Sequence, residues 1–173
     1  MSTRSAIAYA SGDGWHGVYC HSDGDPTGQG PQVWNAVQHA CGGNARRFRD
    51  TFIARHPAGW SSFSGNKDGW CYCHDHETGK RTSRRDNAPM PVCSDHEADN
   101  SALFIEWVYV VGTNALTVYT SIRGNGETVE ADPRYVWGLV GTYPLDAPEP
   151  DWEGVEACGD ALKDAAHACN DIA

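Results

Sequence analysis

The stretch from Gly69 to His96 constrains the fold of this chain more than any other. It reads GWCYCHDHETGKRTSRRDNAPMPVCSDH and holds three of the seven cysteines and three of the eight histidines. It has too few apolar residues to build a core, so it would gain most of its order from a bound metal ion. Clustered thiolates and imidazoles are what a tetrahedral zinc site requires. The sequence therefore predicts a zinc-stapled insertion over residues 69–97.

Two close pairs of potential ligands suit such a site, Cys71 with Cys73 and Cys93 with His96. The 19 residues 74–92 separate the two pairs. This is the two-knuckle layout of structural zinc sites. The predicted ligands are Cys71, Cys73, Cys93 and His96, with His74 and His76 in reserve. Four protein ligands would close the site and make the zinc structural, which we favour, whereas three would leave room for an activated water. The alternative is a surface loop whose cysteines are free or oxidised.

Length and composition indicate one globular domain spanning residues 1–173, with 40% hydrophobic and 21% charged residues. The start, MSTRSAIAYASGDGWHG, lacks the apolar segment of a secretory signal, and no apolar run approaches the roughly 20 residues that span a bilayer. We expect a cytoplasmic protein with no membrane association. An odd number of cysteines in a reducing compartment favours buried thiols or metal ligands over disulfides.

The net charge of −10 argues against general affinity for nucleic acid. Basic residues nevertheless concentrate in two clusters that could contact phosphates. The candidate nucleic-acid contacts are Arg46, Arg47, Arg49, Lys80, Arg81, Arg84 and Arg85. A solvated basic surface is the interpretation we favour for them.

Hydrophobic periodicity predicts an α+β fold. A hairpin is expected from Ser5–Ala10 and Trp15–Cys20, and further strands from Leu103–Val111, Leu116–Ile122 and Val136–Tyr143. Two helices are expected between these groups, one from Pro31 and one from Ala45 with Asn44 as its cap. An amphipathic helix is expected over residues 151–172. Together they predict a mainly antiparallel sheet of about five strands, with the helices packed on one side.

The N-terminal segment resembles a widespread, uncharacterised protein family of bacteriophages and actinobacteria. The residues that carry the resemblance are Ser2-Thr-Arg-Ser-Ala-Ile7, Tyr19-Cys-His-Ser-Asp-Gly-Asp-Pro26 and Gly28-Gln-Gly30. The match is looser over Ile105–Thr120, and Asp25 stands where the family usually has an aromatic residue. The resemblance brings no established activity, but it implies a phage-type setting and hence the cytoplasm of the host cell.

The loop that carries this motif leads into the helix N-terminus, where backbone N–H groups could hold an anion. Its ligand candidates are Asp23, Gly24, Gly28 and Gly30. No Walker or dinucleotide fingerprint is present, and a turn-rich loop without a ligand is the interpretation we favour.

We expect a small phage-type accessory protein with a structural zinc site. It would be non-enzymatic and would bind a macromolecule, most simply a protein such as a host or defence factor. Two alternatives stay open. One is a nucleic-acid-binding zinc protein, and the other is a metal- or Cys-dependent hydrolase.

Overall fold

The computed structural model describes residues 3–65, 69–74, 91–94, 105–123 and 135–170. The strands within these residues are β1 (Ser5–Ser11), β2 (Gly14–Cys20), β3 (Trp60–Ser62), β4 (Trp70–Cys71), β5 (Pro91–Cys93), β6 (Trp107–Val111), β7 (Ala115–Arg123) and β8 (Tyr135–Pro144). The helices are α1 (Pro26–Asn35), α2 (Ala45–Phe48) and α3 (Trp152–Asn170), and π-helical turns extend α1 over Ala36–Ala40 and α2 over Arg49–Ile53.

All eight of these strands belong to one mixed sheet with the order β4-β3-β2-β1-β6-β7-β8, and β5 pairs with β2 beside β3. Strand β1 runs parallel to β6, and β2 runs parallel to β3, whereas the other pairs are antiparallel. The predicted antiparallel sheet of about five strands is therefore wrong in both strand number and pairing.

The physical reasons for the two errors differ. Strands β3, β4 and β5 have only two or three residues each, which is too short for an alternating pattern to be recognised. The parallel pair β1–β6 joins segments about a hundred residues apart, and a hydrophobic pattern shows that a segment forms a strand without showing its neighbour.

The local elements follow the sequence more closely. The β1–β2 hairpin is confirmed, with seven register pairs from Ser5↔Cys20 to Ser11↔Gly14. Asn44 caps α2 as predicted, because its Oδ1 accepts a hydrogen bond from the N–H of Arg47 at 2.9 Å.

Helix α1 begins five residues earlier than predicted. Asp25 is its N-cap, and its Oδ1 accepts hydrogen bonds from the N–H of Gly28 at 2.8 Å and the hydroxyl of Thr27 at 2.9 Å. Pro26 follows at the first helical position, which its fixed φ suits. The Asp-Pro pair was thus the true start signal, and Pro31 lies inside the helix.

The two faces of the sheet carry separate hydrophobic clusters. The helices pack on one face, where their buried side chains meet those of the strands. This cluster includes Ile7, Val18, Val33, Trp34, Phe48, Phe52, Trp60, Trp107, Tyr109, Val118, Trp152 and Val155. The opposite face carries a smaller cluster around Trp15, Tyr19, Val92, Val108 and Val110. Among the described residues, no helix is long and apolar enough to cross a membrane.

Candidate metal centre

The candidate centre lies where the turn after α2 meets the edge strand β4. The N–H of His56 donates to the carbonyl of Ile53 at 3.0 Å, and the carbonyl of His56 accepts from Gly59 at 2.8 Å, so a tight turn holds His56. Four residues later, Trp60 pairs with Cys71 of β4. This pairing brings Cys71, and with it His74, back to the turn that carries His56.

The three side chains form a compact set of donors. One ligand atom each from His56, Cys71 and His74 lies within 4.8 Å of the others, and all three residues are half-buried. Cys71 Sγ is 3.1 Å from His74 Nδ1, and the two imidazole centroids are 5.0 Å apart. Neighbouring ligands of a tetrahedral zinc ion are separated by roughly 3.3–3.6 Å, given bond lengths of about 2.0–2.3 Å. Movements of about 1 Å would bring the set to that geometry.

The surroundings of His56 hold its ring in place and favour its neutral form. Its ring packs on Trp60 at a centroid distance of 4.1 Å, and the Trp60 Nε1–H donates to the carbonyl of Phe52 at 3.0 Å, which fixes the indole. Burial, followed by the neighbouring His74 and Arg55, lowers the pKa of His56 to about 4. The imidazole is therefore neutral at pH 7, which is the form that binds metals.

One ring nitrogen of His56 lacks a hydrogen-bond partner among the described residues. This atom, Nδ1, is buried. An unpaired buried polar atom costs on the order of 1–3 kcal/mol of stability. Coordination of a metal ion through this nitrogen would remove that cost.

The predicted ligands are only partly brought together. Cys71 and the reserve ligand His74 belong to the cluster. Cys73 is buried, and its Sγ accepts a hydrogen bond from the N–H of Ala58 at 3.2 Å, so its thiol helps to hold the His56 turn against β4.

Cys93 of β5 pairs with His16 of β2. Strand β4, which holds Cys71, pairs with β3, and β3 pairs with β2 at Cys20. The two positions are four residues apart along β2, a distance of about 13 Å. His76 and His96 lie outside the described residues. The four-ligand set of Cys71, Cys73, Cys93 and His96 therefore stays a prediction.

Sequence reasoning missed His56 as a candidate metal ligand. We interpreted His56-Pro57 only as the stop of a helix, and His56 precedes Cys71 by 15 residues. The available signal was the Cys71-x-x-His74 pair, which has the spacing of a zinc knuckle and calls for further ligands elsewhere in the chain.

The candidate ligand loop uses its polar groups internally. Asp23 adopts a left-handed conformation with φ of 54°, and the carbonyl of Gly24 accepts a hydrogen bond from the Tyr109 hydroxyl at 2.9 Å. The N–H of Gly28 binds Asp25, as described above. A Cβ on Gly30 would lie 2.3 Å from the Trp152 ring, so this glycine permits α1 to approach α3 closely.

Cys20, which precedes this loop, has the properties of a structural thiol. It is fully buried, and burial raises its pKa to about 12. A thiol of this kind is protonated at neutral pH and lacks the thiolate that a nucleophile needs.

The described arginines of the basic clusters lie along α2 and its π-helical extension. Arg49 donates to Asp50 Oδ1 at 2.7 Å and packs on the Tyr9 ring, and Arg46 lies 3.9 Å from Asp50 Oδ2. Asp50 thus offsets part of their charge. Lys80, Arg81, Arg84 and Arg85 lie outside the described residues.

Comparison with known proteins adds no further constraint on the site. No protein-family model, no curated protein and no solved structure matches the chain.

Proposed function

We propose that this protein is a non-enzymatic binding protein stabilised by a zinc ion that His56, Cys71 and His74 hold. The observation that supports this proposal is the convergence of these three donors, with a neutral His56 whose Nδ1 is buried and has no partner among the described residues. One thiolate and two imidazoles form a donor set of intermediate softness, which suits zinc. His76, the remaining reserve ligand, lies outside the described residues and stays a sequence-based candidate for a fourth ligand.

The role of the ion would be structural. Strand β4 has two residues and pairs only with β3 in the described part of the sheet, so it gains little stability from its own hydrogen bonds. A metal ion that joins β4 to the turn after α2 would fix this edge of the sheet. Trp70, the other residue of β4, is 55% exposed. An exposed tryptophan on an element that a metal ion holds in place is a good anchor for a protein partner.

The enzymatic alternative receives less support. The His56–Cys71–His74 group contains no carboxylate that could act as a general base beside a metal-bound water. Cys20 is buried and protonated, and in the Asp23–Gly30 loop the N–H of Gly28 and the carbonyl of Gly24 bind groups of the protein itself.

No described contact favours nucleic-acid binding over a solvated basic surface. The phage-type accessory role, with a host or defence factor as the partner, is supported only by the resemblance of the N-terminal segment.

The test is metal titration of the purified apoprotein, monitored by native mass spectrometry for zinc and by absorption spectroscopy for Co²⁺. We expect one ion per chain and thiolate-to-cobalt charge transfer, both lost in Cys71→Ser. His56→Ala and Cys93→Ser separate the two ligand sets, because only His56 belongs to the described cluster. We expect His56→Ala to weaken binding by about 10- to 100-fold or more and Cys93→Ser to leave it unchanged.

Weaker binding in Cys93→Ser with unchanged binding in His56→Ala would instead support the ligand set that includes Cys93 and His96. The absence of binding to the folded wild-type protein would refute the metal proposal altogether. Circular dichroism of each variant shows whether the fold is retained.

A further inference from the structure

A cavity of about 250 Å³ lies on the face of the sheet opposite the helices. Here Trp15 of β2 and Trp137 of β8 extend towards each other, with ring centroids 5.5 Å apart and an angle of 68° between the ring planes. Strands β1, β6 and β7 lie between β2 and β8 and contribute shorter side chains to the lining, those of Ala10, Val110 and Thr117. Large rings at the sides and shorter side chains between them leave this space open.

Three aromatic side chains line the cavity, because Tyr119 of β7 joins the two tryptophans. Trp15 is buried, and its backbone is fixed: its N–H donates to Ser94 Oγ at 3.2 Å, and its carbonyl accepts from the N–H of Ser94 at 3.1 Å. Tyr119 and Trp137 are half-buried, so part of each ring is accessible. The faces of such rings carry partial negative charge and attract cations.

The charge at the cavity is negative. Asp13, in the turn between β1 and β2, is the one charged side chain among the described lining residues, and it is exposed. No described lysine or arginine lines the cavity, so none of these cationic side chains occupies it. The net charge of −10 further favours the approach of a cation. The cavity therefore suits a positively charged ligand.

The size and the polar groups of the cavity narrow the class of ligand. Its volume of about 250 Å³ is below the roughly 300–1,000 Å³ of sites for drug-sized molecules, so a small group fits best. A sugar could also stack on aromatic rings, but it needs several hydrogen-bonding partners. Ser94 Oγ already accepts from Trp15, and Thr117 Oγ1 shares a hydrogen bond of 3.2 Å with Thr142 Oγ1. An ammonium group that carries methyl groups instead of N–H donors needs only aromatic rings and a negative charge.

We propose that this cavity binds a quaternary ammonium group of the size of trimethylammonium, such as choline carries. The rings of Tyr119 and Trp137 contact its methyl groups, and Asp13 offsets its charge from the rim. The cavity shares no residue with the His56–Cys71–His74 group, so this proposal stands independently of the zinc proposal.

The experiment is an NMR titration of the isotope-labelled, full-length protein with choline, which follows the indole N–H signals of its seven tryptophans. We expect the signals of Trp15 and Trp137 to shift in a saturable manner and that of Trp70, in β4, to stay unchanged. The matched ligand is the dimethylbutanol in which a tert-butyl group replaces trimethylammonium. It has the same shape without the charge, and we expect it to bind at least about tenfold more weakly.

Two substitutions separate the contribution of the rings from that of the carboxylate. Trp137→Leu should lower the affinity for choline at least about tenfold, whereas Trp70→Leu, which removes an exposed tryptophan elsewhere, should leave it unchanged. Asp13→Asn should lower the affinity about two- to fivefold, since an exposed charge contributes modestly. Asp164→Asn is its control, because this exposed residue belongs to α3 on the other face of the sheet.

The absence of saturable shifts with choline would overturn the proposal. Equal affinity for choline and the uncharged alcohol would also overturn it, because the cavity would then bind apolar groups regardless of charge. Binding that Trp137→Leu leaves unchanged, with a fold that circular dichroism shows to be retained, would place the ligand elsewhere and overturn it as well. If Trp137→Leu does not fold, Asp13→Asn and the comparison of the two ligands decide, since the turn that holds Asp13 tolerates asparagine.

Discussion

Three cysteines of this protein lie in different surroundings, and these surroundings determine what each thiol can do. Cys71 is half-buried and lies 3.1 Å from an imidazole nitrogen, which suits a metal ligand. Cys73, two residues later, is buried and accepts a backbone hydrogen bond. Cys20, the last residue of β2, is fully buried in the large hydrophobic cluster, and burial raises its pKa to about 12. A sequence shows three similar cysteines, whereas packing gives them three different roles.

The buried Cys20 predicts a dependence of stability on alkaline pH. Its ordinary pKa is 9.0, and the folded protein raises this value to about 12. Below pH 9 the thiol is protonated in both states and contributes no pH dependence. As the pH rises above 9, the unfolded state loses the proton first, so the free energy of unfolding falls. The fall due to this thiol is on the order of 1 kcal/mol per pH unit.

Urea denaturation of wild type and Cys20→Ala between about pH 8 and pH 10.5 measures this effect. We expect the variant to lose stability less steeply with pH. Tyr109, whose pKa burial also raises, is present in both proteins, so its contribution cancels in the comparison. Parallel slopes for the two proteins would contradict the assignment to Cys20.

Among the helices, α3 is the element that most depends on close packing. Its Trp152 covers Gly30 of α1, and its Gly159 lies against the ring of Trp107 in β6. A Cβ at residue 159 would lie 2.1 Å from that ring. Lys163, one turn further on, extends over the same ring at 4.4 Å from its centroid. The glycine therefore sets the distance between α3 and the sheet.

This packing predicts opposite effects for two glycine substitutions in one helix. Alanine usually stabilises a helix relative to glycine by about 1 kcal/mol. We expect Gly159→Ala instead to lower the free energy of unfolding by about 1–3 kcal/mol, because the added methyl group overpacks the contact with Trp107.

Gly154→Ala is the control. At residue 154 a Cβ meets only the side chain of Asp151, at 3.0 Å or more, and this exposed carboxylate can rotate away. We therefore expect Gly154→Ala to be neutral or stabilising. Chemical denaturation of both variants tests the pair, and a stabilised Gly159→Ala protein would show that α3 is free to shift.

For the whole molecule, the candidate metal centre and β8 lie at opposite ends of one sheet. The candidate ligands come from the turn after α2 and from β4 with the residues that follow it, which are distant in sequence from β6, β7 and β8. The ion would join segments only 15–18 residues apart, but β4 and β3 belong to the same sheet as β6, β7 and β8, so this edge should unfold together with the rest of the domain. Its contribution should appear in global unfolding.

We accordingly expect zinc to raise the melting temperature of the whole domain. A ligand that binds only the folded state at a hundred times its dissociation constant adds about 2.7 kcal/mol of stability. For a chain of this size that gain corresponds to a rise of roughly 5–10 °C. Differential scanning calorimetry with zinc and with a chelator measures the difference, and the rise should be at most about half as large in His56→Ala, whose affinity for zinc is lower. A rise of similar size in His56→Ala would contradict the proposed ligand set.

The sequence by itself determined much of the local structure of this protein. The apolar and β-branched residues of β1, β2, β6, β7 and β8, the Asn44 cap and the final amphipathic helix follow from patterns within a few residues, since propensity and capping are local effects. The same is true of the prediction that metal donors gather near Cys71.

Only the tertiary structure decided which strands distant along the chain are neighbours and which donors meet. The parallel pairing of β1 with β6 and the approach of His56 to Cys71 depend on how distant segments share one core. The free energy of such contacts comes from burial and from hydrogen bonds between segments whose spacing along the chain leaves no periodic signal.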